Sequence, residues 1–176
     1  MKIHYLFALL FVFIGIKSNS QNTITIGLEG NKITSHNENL NKVGFGLSAE
    51  YFAKLFPHGG IKGYAAINRF TQTNNGGTAL FFPVRVGYQH FLYSDNLFVF
   101  GETGFASARI ENKVQTGFSM AAGGGYKINM PQATLMQLSL FYNYHHFKIN
   151  PNVQWITLRA AYGIKYGKRK AFKRED

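Results

Sequence analysis

The chain has 176 residues, of which 45% are hydrophobic and 16% aromatic, but only 15% are charged. A soluble domain carries about 25% charged residues, so a surface made from this composition is poorly solvated in water. The absence of cysteine excludes disulfides, cysteine–zinc sites, a thiol nucleophile and a cysteine-linked lipid anchor, while the formal net charge of +11 raises nucleic acid as a partner until the charges are located.

The first residues read as an address. A short basic start, Met1 to His4, precedes the apolar run Tyr5 to Ile16 and the polar stretch Lys17 to Ser20, which is the anatomy of a cleaved secretory signal peptide over 1–20. The apolar run spans about 18 Å as a helix, too short for a hydrocarbon core of about 30 Å. Removal of Lys2 and Lys17 leaves 17 basic and 8 acidic residues, a mature charge of +9. An exported chain has no regular access to nucleic acid, so no such partner is expected. No later run is long and apolar enough for a membrane helix.

From Asn22 onward the pattern has period two and is broken at regular intervals by turn residues, which predicts strands. The runs are Thr23 to Glu29, Val43 to Leu55, Ile61 to Phe70, Thr78 to Phe91, Leu97 to Ala108, Gly117 to Ile128, Thr134 to His146 and Trp155 to Tyr166. Short connections at Phe56 to Gly60, Leu92 to Asn96 and Asn129 to Ala133 alternate with longer ones at Asn31 to Lys42, Thr71 to Gly77, Arg109 to Thr116 and Phe147 to Gln154. An even number of strands with short turns at one end and long loops at the other describes a closed up-and-down meander. The fold class is therefore all-β, with a barrel over 21–167 and a basic tail over 168–176.

Alternation alone leaves open which face is outside. One face of the runs is large and aliphatic; the other is mostly Gly, Ala, Ser and Thr with isolated charges. A soluble exterior carries roughly 25–35% charged residues, and the second face does not. Aromatic residues gather near strand ends, at Tyr51, Phe91, Tyr93, Tyr126, Tyr144, Trp155 and Tyr166, as in the interfacial girdles of membrane barrels. These features predict an eight-stranded antiparallel up-and-down transmembrane β-barrel. A secreted lipocalin-like binder of an apolar ligand shares the same period and stays as an alternative.

Signal peptide, alternating runs, glycine-rich inner positions and a last strand ending apolar–x–aromatic together resemble the small outer-membrane β-barrel family of the OmpX and OmpA transmembrane-domain type. The resemblance implies the cell outer membrane as location, with outer-membrane lipid, lipopolysaccharide and the barrel assembly machinery as partners. Arg159 to Tyr166 is similar to the final-strand signal read by that machinery, with Ala161 where the signal has glycine.

Glu29, Glu50, Arg85, Glu102 and Arg159 fall on the small-residue face. Counted from the short turns, Glu50, Arg85, Glu102 and Arg159 lie at similar depth, with Arg85 nearly opposite Glu102, which predicts a luminal charge cluster joining these four. Such a cluster plugs the bore and argues against an open porin. Near the long loops lie Lys32, Lys42, Arg69, Arg109, Lys113 and Lys148 against Glu38 and Glu111, six minus two or +4, a basic rim suited to lipopolysaccharide phosphates. His145 and His146 sit at the loop end of their strand, where a lipid A-modifying enzyme is the alternative function. The positions two beyond them are Phe147 and Lys148 rather than a serine, and a histidine without a nucleophile has nothing to activate. Adjacent strand residues point to opposite faces, which also argues against a metal site from this pair and His36. The reading is a monomeric structural or surface-interaction protein of the envelope, without enzymatic activity, metal or cofactor. Expressed with its leader, the protein should fractionate with membranes and migrate differently on gels before and after boiling; a soluble species with unchanged migration contradicts the membrane reading.

Overall fold

A computed structural model describes residues 22–35, 40–72, 77–93, 96–110, 113–147 and 152–166; the leader and the basic tail lie outside the described residues. Eight strands follow one another: β1 (Asn22–Ile33), β2 (Leu40–Phe56), β3 (Gly59–Gln72), β4 (Thr78–Leu92), β5 (Leu97–Ile110), β6 (Lys113–Asn129), β7 (Thr134–His146) and β8 (Val153–Tyr166). Each pairs antiparallel with its sequence neighbours, and β8 returns to β1 to close the barrel. The closing seam runs from Asn22 opposite Tyr166 to Ile33 opposite Trp155.

Several strands outrun the boundaries expected from sequence. β5 and β6 continue through most of the predicted loop Arg109 to Thr116, pairing Ala106 with Gly117 and Ile110 with Lys113. The β-branched Val114 and Thr116 suit this extension. β1 likewise continues through Asn31 to Ile33, and β2 begins at Leu40. At the opposite end only Pro57 and His58 separate β2 from β3. Gln132 and Ala133 before β7 both adopt positive φ, at 60° each, the conformation a tight hairpin turn needs at its two central residues.

The alternation resolves cleanly into two faces. On β1, Ile24, Ile26 and Leu28 are exposed by 48%, 67% and 68%, whereas Thr25 and Glu29 between and beside them are buried. The same outward apolar stripe continues through Phe45 and Leu47, Val84 and Val86, Leu138 and Leu140, and Leu158. Between the loop-end Lys32, Arg69 and Arg109 and the turn-end His90, the outward positions of the described strands carry no charged side chain. A soluble ligand carrier needs the reverse arrangement. This wall is built to face lipid.

The inner face departs from the small-residue lining expected. Large rings fill it, and Phe91 and Trp155, assigned from sequence to the interfacial girdle, point inward and are buried. Their parity decides the matter: Trp155 alternates with the outward Ile156 and Leu158, and Phe91 with the outward Tyr88 and His90. One buried cluster, with Phe70, Phe81, Phe147 and Trp155, fills the loop end. A second, with Phe52, Phe91, Phe98 and Phe100, runs from the turn end toward the middle. An eight-stranded bore is just wide enough to be filled by side chains, and this one is.

Leu158→Lys places a charge in the middle of the lipid-facing wall. It should lower stability in lipid vesicles by roughly 2–4 kcal/mol, measured by reversible denaturant unfolding, whereas Lys32→Leu at the rim should change it little.

Candidate functional site

The sequence-predicted luminal residues converge at mid-barrel. Glu29, Glu50, Arg85, Glu102 and Arg159 are all buried and face inward. Arg85 Nε lies 3.0 Å from Glu102 Oε2, although the ladder places them diagonally: Arg85 is opposite Gly104, and Glu102 opposite Gly87. Arg159 Nη1 donates to Glu50 Oε2 at 2.9 Å, and its Nε lies 3.9 Å from Glu29 Oε1. The guanidinium also donates to Ser48 Oγ and Thr25 Oγ1, each at 2.8 Å. Gly27 makes room for it, since a Cβ there would stand 2.7 Å from Arg159 Nε.

Lys62 joins the two halves of the cluster and was not singled out from sequence. Its Nζ lies 3.1 Å from Glu50 Oε2 and 2.7 Å from Glu102 Oε1, with the Phe100 ring centroid at 3.4 Å. A parity count along β3 from the outward Ile67 would have found it. Tyr64, two residues on, donates to Glu29 Oε1 at 2.7 Å, and its ring lies 4.3 Å from Arg85 Cζ. Ion pairs, hydroxyl donors and ring faces thus share the solvation of charges that water would otherwise supply.

A neutral relay leads from this cluster toward the loop end. Arg85 Nη1 donates to Asn143 Oδ1 at 2.7 Å. Asn143 donates to Thr157 Oγ1, Thr157 to Asn31 Oδ1, and Asn31 to Asn68 Oδ1. Toward the turn end sits Lys127, also missed from sequence, with Nζ 4.5 Å, 4.9 Å and 5.2 Å from the ring centroids of Phe52, Phe91 and Phe98. Among the described residues the lumen therefore holds four cations (Lys62, Arg85, Lys127, Arg159) and three carboxylates (Glu29, Glu50, Glu102), a net charge of +1. Those three are all the acidic side chains that the described residues contain.

At the loop end, Lys32, Arg69 and Arg109 face outward and are exposed on alternate strands, and Lys113 is exposed on β6. Arg69 donates to Thr78 Oγ1 at 3.2 Å. Lys42 belongs to β2, while Lys148 and His36 lie outside the described residues. The histidine pair separates. His146 is exposed, with Nδ1 3.2 Å from Asn152 Oδ1. His145 is buried inside the barrel, stacked on Trp155 at 4.2 Å between ring centroids. Strand parity sends it inward.

No family model matches the sequence, and no curated protein sequence matches it. Solved structures do resemble it. The attachment invasion locus protein Ail of Yersinia pestis superposes with a TM-score of 0.59 at 17% identity, covering 84% of this chain and 99% of that one. Ail in complex with the heparin analogue sucrose octasulfate gives 0.61 at 18%, with the same coverage. Neisserial surface protein A gives 0.58 at 10%, covering 85% and 98%. The chain has the fold of the small eight-stranded outer-membrane β-barrels. At these identities the likeness is one of architecture: strand number, closure and order are shared.

Within this small-barrel fold the charged core should behave as one unit. Arg85→Ala and Glu102→Ala should each destabilise by about 3–5 kcal/mol, the cost of leaving a buried partner unpaired. The double variant should fall short of their sum by about 1–3 kcal/mol. Additive losses in lipid-vesicle unfolding would show that the two side chains act separately.

Proposed function

We propose that the protein is an outer-membrane barrel that serves as a rigid, closed mount for a cationic surface, and that this surface binds anionic glycan or glycolipid groups outside the cell. The observation that carries this reading is the segregation of charge. Each carboxylate among the described residues is buried in the bore, and at the loop end the basic Lys32, Lys42, Arg69, Arg109, Lys113 and Lys148 outnumber Glu38 and Glu111, which lie outside the described residues. Lys32, Arg69 and Arg109 stand just beyond the apolar wall, at the level where lipopolysaccharide phosphates would meet them. Guanidinium and ammonium groups form charge-assisted hydrogen bonds with phosphate and sulfate oxygens. The predicted leader supports export, and β1 begins and β8 ends at the short-turn end, so with that end toward the periplasm the basic end faces outward. That Ail was crystallised with a sulfated sugar supports a polyanion as ligand for a surface mounted on this fold.

The filling of the bore supports a structural, non-channel role. A lipid-modifying reaction at His145 lacks access, because that imidazole is enclosed between Trp155 and Phe147 rather than opened to lipid.

Two measurements test the proposal. Folded protein in planar bilayers at neutral pH should give no steady ionic conductance. Sucrose octasulfate or purified lipopolysaccharide should bind with an affinity that falls with salt. Each exposed charge pair contributes up to about 1 kcal/mol, so the triple change Lys32→Gln, Arg69→Gln, Arg109→Gln should weaken binding about tenfold or more. Unchanged binding in that variant refutes the basic rim as the binding surface.

A further inference from the structure

The lipid-facing side of β7 changes character along its length. Leu138 and Leu140 are followed by Tyr142, Tyr144 and His146. On β8 the outward Leu158 and Ile156 give way to Gln154 and, just before the strand, to Asn152. The two strands are laced together on this face: Tyr142 Oη donates to Gln154 Oε1 at 2.5 Å, and Tyr144 Oη to Asn152 Oδ1 at 2.6 Å. The backbone carbonyl of Gln154 accepts from Thr34 N at 2.9 Å, which ties the end of β1 to the same place. Approaching the loop end on β4 and β6, the corresponding outward residues are Phe82 and Leu80, and Met120 and Phe118.

The register sets Lys32 of β1, Ile156 of β8 and Tyr142 of β7 in one row. One row deeper in the wall, Gly30 stands between Leu158 and Phe45, and a Cβ there would meet no atom within 4 Å. The apolar wall therefore carries a notch directly beneath Lys32.

We propose that this β7–β8–β1 seam seats one molecule of a glycolipid of the lipid A class, with an acyl chain in the notch at Gly30 and the phosphorylated amino-sugar headgroup against Tyr142, Gln154 and Lys32. The inference rests on the outward-facing, polyanion-binding loop end proposed above and narrows its ligand to a membrane glycolipid.

An amphiphile needs an apolar surface for its chains and a polar one for its headgroup, with aromatic residues suited to the boundary between them. The seam supplies these in that order. Because the side-chain oxygens of Gln154 and Asn152 accept from tyrosine hydroxyls, the amides turn their NH2 groups to the ligand as donors, which match the hydroxyl, phosphate and acyl-amide oxygens of such a headgroup. Each tyrosine is held by its own hydrogen bond, so little side-chain entropy is lost when a sugar lies against it. Lys32 adds a charge-assisted bond to phosphate. A free sulfated sugar has no chain for the notch, and a phosphoglycerol lipid has no amino sugar for the tyrosine–amide pairs. Both can meet the basic rim, but only a glycolipid fits the whole seam.

The full protein is folded in detergent micelles carrying purified lipid A or, separately, phosphatidylglycerol, and bound lipid is counted by native mass spectrometry. Heat-dependent gel migration confirms that each variant is folded. The wild type should retain one lipid A and release phosphatidylglycerol. Tyr142→Leu with Gln154→Leu removes hydrogen-bonding groups at the headgroup and should lower retention about tenfold. Gly30→Leu fills the notch without changing charge; it should lower retention as well, with sucrose octasulfate binding at the wild-type level. Arg69→Gln with Arg109→Gln, on β3 and β5, should weaken octasulfate binding and leave the retained lipid A in place. Retention unchanged in both seam variants overturns the seat and leaves the basic rim standing. Phosphatidylglycerol held as well as lipid A, or lipid A lost in the arginine pair, assigns the binding to charge alone and overturns it equally. Octasulfate binding unchanged in the arginine pair counts against the rim, not against the seat.

Discussion

Inside a bilayer, a backbone N–H or C=O without a partner has no water to turn to, and each one costs several kcal/mol. Closure of β8 onto β1 answers that constraint, because it leaves no edge in the sheet. The other features follow from it. A closed ladder leaves the side chains as the only variable, with alternate residues sent to opposite media. Lipid on one side requires the largely apolar wall. On the other side, eight strands enclose so little space that the interior has to be packed like a core.

That interior resolves a conflict between two demands. Filling it with rings alone would satisfy packing, and filling it with charges alone would leave donors and acceptors to desolvate without partners. The chain interleaves them. Lys62 sits on the Phe100 face while holding Glu50 and Glu102, Arg85 lies over Tyr64 while holding Glu102, and Lys127 has three phenyl faces around it. Such an arrangement is specific more than strong, since a well-packed apolar core could match it in energy. It links side chains of β1, β2, β3, β4, β5 and β8 across the bore.

Much of this architecture is legible in the sequence because period two is the direct imprint of a wall between two media. All eight strands and the inward position of Glu50, Arg85, Glu102 and Arg159 follow from parity. What escaped has physical causes. β3 alternates weakly, since its outward positions include Gly63 and Ala65 and its inward ones Ala66, so Lys62 does not stand out against a clear pattern. Phe91 and Trp155 lie near strand ends, where an aromatic suits a membrane interface and a plug equally well; only their register with Tyr88 and Ile156 separates the two. The extension of β5 and β6 was hidden because Lys113, Gln115 and Thr116 are as acceptable in a loop as on an exposed hairpin.

The ion pairs have an order in time as well as in space. Glu29 and Glu50 belong to the first two strands, whereas Arg159, which bonds to Glu50 and lies beside Glu29, belongs to the last. During synthesis those carboxylates appear long before this cation, and a chain cut short of β8 never supplies it. A partial barrel thus leaves Glu50 with Lys62 as its ion-pair partner and Glu29 with the Tyr64 hydroxyl. Completion of the polypeptide, closure of the wall and the joining of Arg159 to the carboxylates of the first two strands become a single event.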